Sequence, residues 1–546
     1  MSVRHWPEAC HLIAGRDDLE SLPRKAHPPQ SEGALQLGNK AWNLWRMAQA
    51  GLRVPPALVL GTRYAHRPAS DWDEALFSAG LPELERITGR RLGDARRPLL
   101  VSVRSGAPVS MPGMMETVLD VGLCNETVPG MLRLTGNPRL VWDSYRRLVA
   151  GYGEVVAGID PGVFEAALAE LAQGQEEQTL AFDALRALTR RYLECYREQA
   201  GEPFPQSVRV QLRESVRAVF ASWNAPKAVD YRRHQGIDDA LGTAVTIQQM
   251  VFGNADRRSG AGVGFTRDPT DGTPRPWVDF LFEAQGEDVV SGRRSAVGHE
   301  RLAARLPQVW AELGEGAARL ERLFADMQDF EFTVEEGTLF WLQARAGKRT
   351  PRAAARIALD LLAEGVIDAR TAWERTRDLA LEELATVCLA TAEGEAPQRL
   401  GSGIPASPGI AGGELALDAE RVAARVAQGA KVILVRQDAE TTDVAALRQA
   451  EGLLTRRGAR TSHAAVVARQ MGKVCVVGCE GLTIDGWARS VRFGERVVAE
   501  GEPITLDGND GSVYAGLVQT QTVPDAALQE RLAALRARFA GEGENA

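Results

Sequence analysis

Between Lys431 and Val477 three short apolar runs, Lys431-Val-Ile-Leu-Val435, Gly452-Leu-Leu-Thr455 and Lys473-Val-Cys-Val-Val477, alternate with two stretches of helical periodicity, residues 442–449 and 462–471. Runs this short and this apolar read as buried strands, and strands that alternate with helices form a βαβαβ unit with parallel pairing. A chain that contains such a unit belongs to the α/β class.

The rest of the chain agrees with that class. Leu37-Gly38-Asn39-Lys40 is a glycine turn leading into a helix with Ala41, Leu44, Trp45 and Ala48 on one face, ended by Gly51. Val54-Pro55-Pro56 breaks the chain before the strand Ala57-Leu-Val-Leu60, which places Lys40 at a helix start beside a sheet, where an anion is welcome. Leu99-Leu-Val-Ser-Val103 is a strand running into Arg104. Further strands are expected at 244–250, 262–266, 329–334 and 338–344, the last two joined as a hairpin at Glu335-Glu336-Gly337. Residues 352–387 turn helical, and a polar, Gly- and Pro-containing stretch at 393–405 marks a hinge. The expected organisation is multidomain α/β with segments 1–350, 351–400, 401–517 and 518–546. The last carries a helix with Leu528, Leu532, Leu535 and Phe539 on one face, which needs a partner surface in this chain or another.

At 546 residues the chain exceeds a single core. A net charge of -8, with no long basic block, disfavours nucleic acid, so any bound anion must be held by local Arg, Lys and backbone N–H groups. No apolar run approaches the ~20 residues that span a bilayer, and Met-Ser-Val-Arg-His-Trp-Pro lacks a signal-peptide core. Six scattered cysteines make no disulfide framework, and the reduced cytoplasm is the expected compartment. Cys475 and Cys479 alone are close neighbours in sequence.

Gly458-Ala459-Arg460-Thr461-Ser462-His463-Ala464-Ala465-Val466-Val467-Ala468-Arg469 carries the strongest chemical signal. A strand ends in a turn, and a histidine opens an apolar helix. A largely neutral imidazole can attack phosphorus there, while free N–H groups and the positive helix end favour the phosphoryl group gained. Thr461 and Ser462 can cap the helix.

This string, with Val101-Ser-Val-Arg-Ser-Gly106, Ser110-Met-Pro-Gly-Met-Met-Glu-Thr117, Asp143-Ser-Tyr-Arg-Arg147, Gln285-Gly-Glu-Asp288 and Met327-Gln-Asp-Phe-Glu331, resembles the pyruvate phosphate dikinase family of phosphoenolpyruvate-utilising enzymes. The resemblance runs from about residue 37 to about 516. It implies an ATP-grasp nucleotide-binding domain (1–350), a helical linker (351–400) and a swivelling phosphohistidine domain (401–517).

By resemblance, Lys40 and Arg104 contact the phosphates of ATP, beneath a glycine loop containing Gly106. Gly113, Arg147 and Gly262 would hold inorganic phosphate, Gln285, Glu287 and Asp288 would add nucleotide or metal contacts, Arg345 would add to the ATP and metal site, and Glu331 with Gln343 would hold Mg2+. His463 would take a phosphoryl group from ATP, with AMP and pyrophosphate as products, and pass it to pyruvate. The family binds pyruvate on a C-terminal TIM barrel of ~250 residues. Only about thirty residues follow the histidine domain here, so a separate barrel chain is the expected partner, with self-association a further option.

Some positions depart from the family pattern. Ala459 and Arg460 stand where a Gly and an apolar residue are usual, Pro108 replaces a usually basic residue, and Ala261 replaces a hydroxyl residue. If water replaced phosphate, the products would be AMP and phosphate. A different small-molecule acceptor, or a regulatory phosphocarrier, are the alternative readings.

Overall fold

The computed structural model describes residues 6–539 except 16, 17, 19, 21, 30–32, 110, 112, 113, 176, 291–296, 391–396, 439–442, 459 and 461. The chain divides into two compact units, Met1–Arg257 with Phe340–Gln343, and Arg258–Leu339 with Ala344–Ala546. The division falls within the 1–350 segment.

The first unit is built on a sheet of β1 (Cys10–Ile13), β2 (Ala57–Leu60), β3 (Val101–Gly106), β4 (Thr117–Val121) and β5 (Ala244–Gln249). Its order is β1-β2-β5-β3-β4, and every pairing is antiparallel. Alternation along the strands sorts the side chains. Val101, Val103, Val245 and Ile247 join one large core with Leu140, Tyr145 and Leu148 of the helix Pro138–Val155 and Leu212 and Val216 of the helix Val208–Ala221. Ser102, Arg104, Thr246 and Gln248 are left for the opposite face. There the helix Gly33–Gln49 covers the sheet, interrupted at Gly38, whose φ of 73° no ordinary L residue adopts readily.

Between residues 258 and 346, β6 (Gly260–Phe265), β7 (Trp277–Phe282), β8 (Val297–Gly298), β9 (Gln328–Glu335) and β10 (Thr338–Ala346) form a sheet of order β10-β9-β6-β7-β8. The expected hairpin between β9 and β10 turns at Glu336 and Gly337, both in the left-handed region (φ 51° and 82°) that two-residue hairpin turns use. The strands β11 (Thr386–Leu389) and β23 (Thr520–Val523) pair antiparallel.

The 401–517 segment contains the expected βαβαβ alternation. Its sheet contains β12 (Arg399–Ser402), β13 (Ile404–Ser407), β14 (Ile410–Ala416), β15 (Val432–Arg436), β16 (Gly452–Thr455), β17 (Val474–Val477), β21 (Pro503–Asp507) and β22 (Ser512–Ala515). The order is β12-β22-β21-β14-β15-β16-β17-β13, with β14 through β17 parallel. Ile433, Val435, Leu454 and Val476 face one core; Val432, Leu434, Leu453 and Val477 face another, shared with Ala446, Leu447, Ala465 and Ala468 of the crossover helices. Cys475 and Cys479 lie in these two different cores, so their sequence proximity does not make them a ligand pair. The strands β18 (Leu482–Asp485), β19 (Ser490–Phe493) and β20 (Arg496–Ala499) add a small antiparallel sheet.

The tail helix Ala526–Ala537 resolves the choice between its two expected partners. Leu528, Leu532 and Leu535 are buried with Ile357 and Leu361 of the helix Pro351–Ala363, Phe539 stacks on Trp373 at 5.3 Å between ring centroids, and Asp525 pairs with Arg352 at 3.0 Å. The apolar stripe is used inside this chain, which removes it as a docking face for a separate barrel.

Candidate functional site

In the first unit Lys40, Arg104 and Gln343 line one cavity, together with Ala41, Leu44, Thr246, Gln248 and Leu342. Sequence reasoning named the first three. Arg104 stands directly opposite Thr246 across the β3–β5 ladder, and Ser102 opposite Gln248, so one face of two neighbouring strands supplies the polar floor. Lys40 follows the break at Gly38 by two residues, in the first turn of the renewed helix. The cavity thus presents an ammonium, a guanidinium fork, two amides and a hydroxyl, a donor set suited to phosphate oxygens. Thr246 and Gln248 were missed as site residues. Their signal was available: in Ala244-Val-Thr-Ile-Gln-Gln249 polar residues alternate with apolar ones, although all but the last are buried.

Gly106 ends β3, and its N–H donates to Thr243 Oγ1 at 3.2 Å. Gly113 lies outside the described residues. Arg147 sits in the helix Pro138–Val155, where its Nε donates to Asp143 Oδ2 at 3.0 Å and its Nη2 is 3.5 Å from Glu177 Oε1. Arg146 joins the same cluster, 2.6 Å from Asp143 and in contact with Glu177. Burial pushes the Asp143 carboxyl up, but Arg147 and Arg146 outweigh it and hold the group below the usual carboxylate range.

In the second unit Glu331 lies on β9 and Arg345 on β10, and both act electrostatically on Asp329. Arg345 Nε donates to Asp329 Oδ2 at 2.8 Å. Burial nonetheless raises the Asp329 carboxyl, while the carboxylates of Asp329 and Glu331 keep Arg345 firmly protonated despite its own burial. Gly262 occupies the central strand β6, where a Cβ would stand 2.4 Å from the Phe332 ring; glycine is required there by packing. Gln285 precedes the short helix Gly286–Val290, which carries Glu287 and Asp288 in its first turn, and the Gln285 N–H donates to Asp288 Oδ2 at 2.9 Å.

His463 is the first residue of the helix His463–Gln470, and the Ser462 hydroxyl caps that helix by accepting from the Ala465 N–H. Thr461 lies outside the described residues. Arg469, almost fully buried on the same helix, donates through Nη2 to the carbonyls of Ala406 (2.6 Å) and Arg460 (3.1 Å). Burial lowers the Arg469 guanidinium to about 10. Arg460, one of the departures from the family pattern, donates from Nε to Asp279 Oδ1 at 3.2 Å.

Comparison with known proteins accords with this architecture. Residues 77–298 match the family model "Pyruvate phosphate dikinase, AMP/ATP-binding domain", and residues 428–511 match "PEP-utilising enzyme, mobile domain". The second match includes His463; Lys40, Glu331, Gln343 and Arg345 lie outside the first. The chain is 40% identical over 510 residues to a pyruvate, phosphate dikinase of Clostridium symbiosum, covering 91% of this chain and 58% of that protein. It is 41% identical over 514 residues to the pyruvate, phosphate dikinase of Rhizobium meliloti, with 89% and 57% covered. For pyruvate, phosphate dikinase 2 of Zea mays the identity is 42% over 491 residues, with 88% and 55% covered. The chain therefore spans somewhat over half the length of these relatives.

Proposed function

We propose that this chain, which belongs to the pyruvate, phosphate dikinase family, carries out the nucleotide half of a dikinase reaction by phosphorylating His463 from ATP. The observation that carries this reading is the convergence of Lys40, Arg104 and Gln343, far apart in sequence, on one cavity. The capped helix start at His463 supports it as well.

In this reading the neutral His463 imidazole attacks the β-phosphorus of ATP. A P–N bond forms, the bond from Pβ to the bridging oxygen of Pα breaks, and the electron pair leaves on AMP. Lys40 and the fork of Arg104 bind the phosphate chain and hold the β-phosphorus in line, so that most of the acceleration comes from positioning and charge neutralisation. Inorganic phosphate then attacks the terminal phosphorus of the pyrophosphoryl group on His463, the bond from that phosphorus to the oxygen bridging it to Pβ breaks, pyrophosphate leaves and phospho-His463 remains. Pyruvate is the proposed final acceptor, bound outside the residues described.

On the family resemblance, Glu331 and Gln343 are proposed as oxygen donors for Mg2+, a hard ion that takes few protein ligands and many phosphate oxygens. That ion would screen the phosphate charge. Gly262 and Arg147 are proposed only as supports of the phosphate step, since packing and ion pairing already account for both.

The test uses ATP labelled at the β position, with and without phosphate, on wild type and His463→Ala. AMP release with label retained on the wild type, and none on the variant, is expected. Labelling of the variant would remove His463 as nucleophile, and failure of added phosphate to yield pyrophosphate would remove the dikinase step.

A further inference from the structure

Two arginines of the phosphohistidine domain close on one aromatic ring of the β6–β10 sheet. The Arg460 guanidinium carbon lies 4.7 Å from the centroid of Trp277, and that of Arg469 lies 5.0 Å from the same centroid. The two are tied together by the hydrogen bond from Arg469 Nη2 to the Arg460 carbonyl at 3.1 Å. Beneath them Asp279, two residues along β7 from Trp277, is paired with Arg460 and has a side chain only 2% exposed. Asp268 and Asp329 add their negative charge, acting with Asp279 on Arg469.

A buried ion pair is a weak source of net stability but a strong source of register. Any misplaced arrangement leaves a desolvated carboxylate without its partner, which costs far more than the pair gains. This pair joins β7 to the residue three positions before His463, and Ser462, which caps the helix that His463 opens, lies between.

Resting on the function proposed above, we infer that Arg460 is a positioning residue: by pairing with Asp279 and covering Trp277, it holds the start of the His463 helix at β7 in the state that receives the phosphoryl group. It touches neither nucleotide nor phosphorus in this role; it fixes where the imidazole is presented.

The experiment compares wild type with Arg460→Met, Asp279→Asn, the two combined, and Arg460→Lys. It reads single-turnover transfer of label from β-labelled ATP to His463, and separately the Kd of a non-hydrolysable ATP analogue. Each single change is expected to slow transfer by about 10- to 100-fold, the scale of an ångström-sized misplacement, with the Kd within about twofold of wild type. The combined variant is expected to be no slower than the worse single one, because the two changes remove one interaction. Arg460→Lys should recover part of the rate. Wild-type rates in both single variants, or losses that multiply in the combined one, overturn the inference. Asn is isosteric with Asp, so the Asp279 variant decides the matter if Arg460→Met fails to fold. Should wild type take no label, the proposed function fails, and docking is read alone by small-angle X-ray scattering: a larger maximum dimension in the single variants supports the clamp, and an unchanged one overturns it.

Discussion

A Cβ placed on Gly38 would stand 1.8 Å from the carbonyl oxygen of Gly106. The helix start and the end of β3 therefore meet through bare backbone, and the Asn39 N–H donates to the Ala107 carbonyl at 2.9 Å beside that contact. This contact brings the turn that carries Lys40 to the strand that carries Arg104. Gly38→Ala must both force the two segments apart and hold an L residue at φ 73°. A loss of about 2–4 kcal/mol in unfolding free energy is expected, read by denaturant titration, together with weaker nucleotide binding by calorimetry.

Arg104 offers a planar fork where lysine offers a point charge. Arg104→Lys keeps the charge and loses bidentate contact, so AMP formation should fall by roughly 100-fold while the melting temperature stays near wild type. An unaltered rate would detach Arg104 from the phosphates.

Asp143 makes the first unit acid-sensitive. Its folded pKa is depressed by Arg147 and Arg146 over the opposing push of burial, so its contribution is present above the unfolded value and is lost as pH falls through the folded one. Asp143→Asn should cost about 3 kcal/mol at neutral pH. The gap between variant and wild type should narrow below a pH of about 4, measured by urea midpoints across a pH series.

Leu532 is fully buried between the tail helix and the linker helices. Leu532→Ala is expected to cost about 2–5 kcal/mol through the cavity it leaves. Affinity for an ATP analogue should be unchanged, because the cavity lined by Lys40 and Arg104 belongs to the other unit.

Much of the fold was legible in the sequence because its signals are local. The alternation of apolar runs and helical stretches from 431 to 477 led directly to the parallel run β15 to β17, with strand ends shifted by at most one residue. The Glu336-Gly337 turn was legible from its residue types. Strands β1, β4 and β7 were not named: β1 has only four residues, and β4 and β7 each carry an aspartate, Asp120 and Asp279, inside an otherwise apolar run. For β7 that omission also hid Trp277 and Asp279, and with them a structural role for Arg460.

The site divides in the same way. The sequence by itself determined which residues could do chemistry: a histidine opening an apolar helix behind a serine cap, a lysine after a glycine turn, an arginine at a strand end. Those properties follow from periodicity, capping and backbone freedom within a few residues. Only the tertiary structure decided which of them meet. Register between β3 and β5 set Arg104 opposite Thr246, the helix face committed Arg147 to Asp143, and the packing of Leu528, Leu532 and Leu535 turned the tail helix inward. The physical reason is that strand order, register and burial are set by the free energy of the whole core, and no local pattern carries that sum.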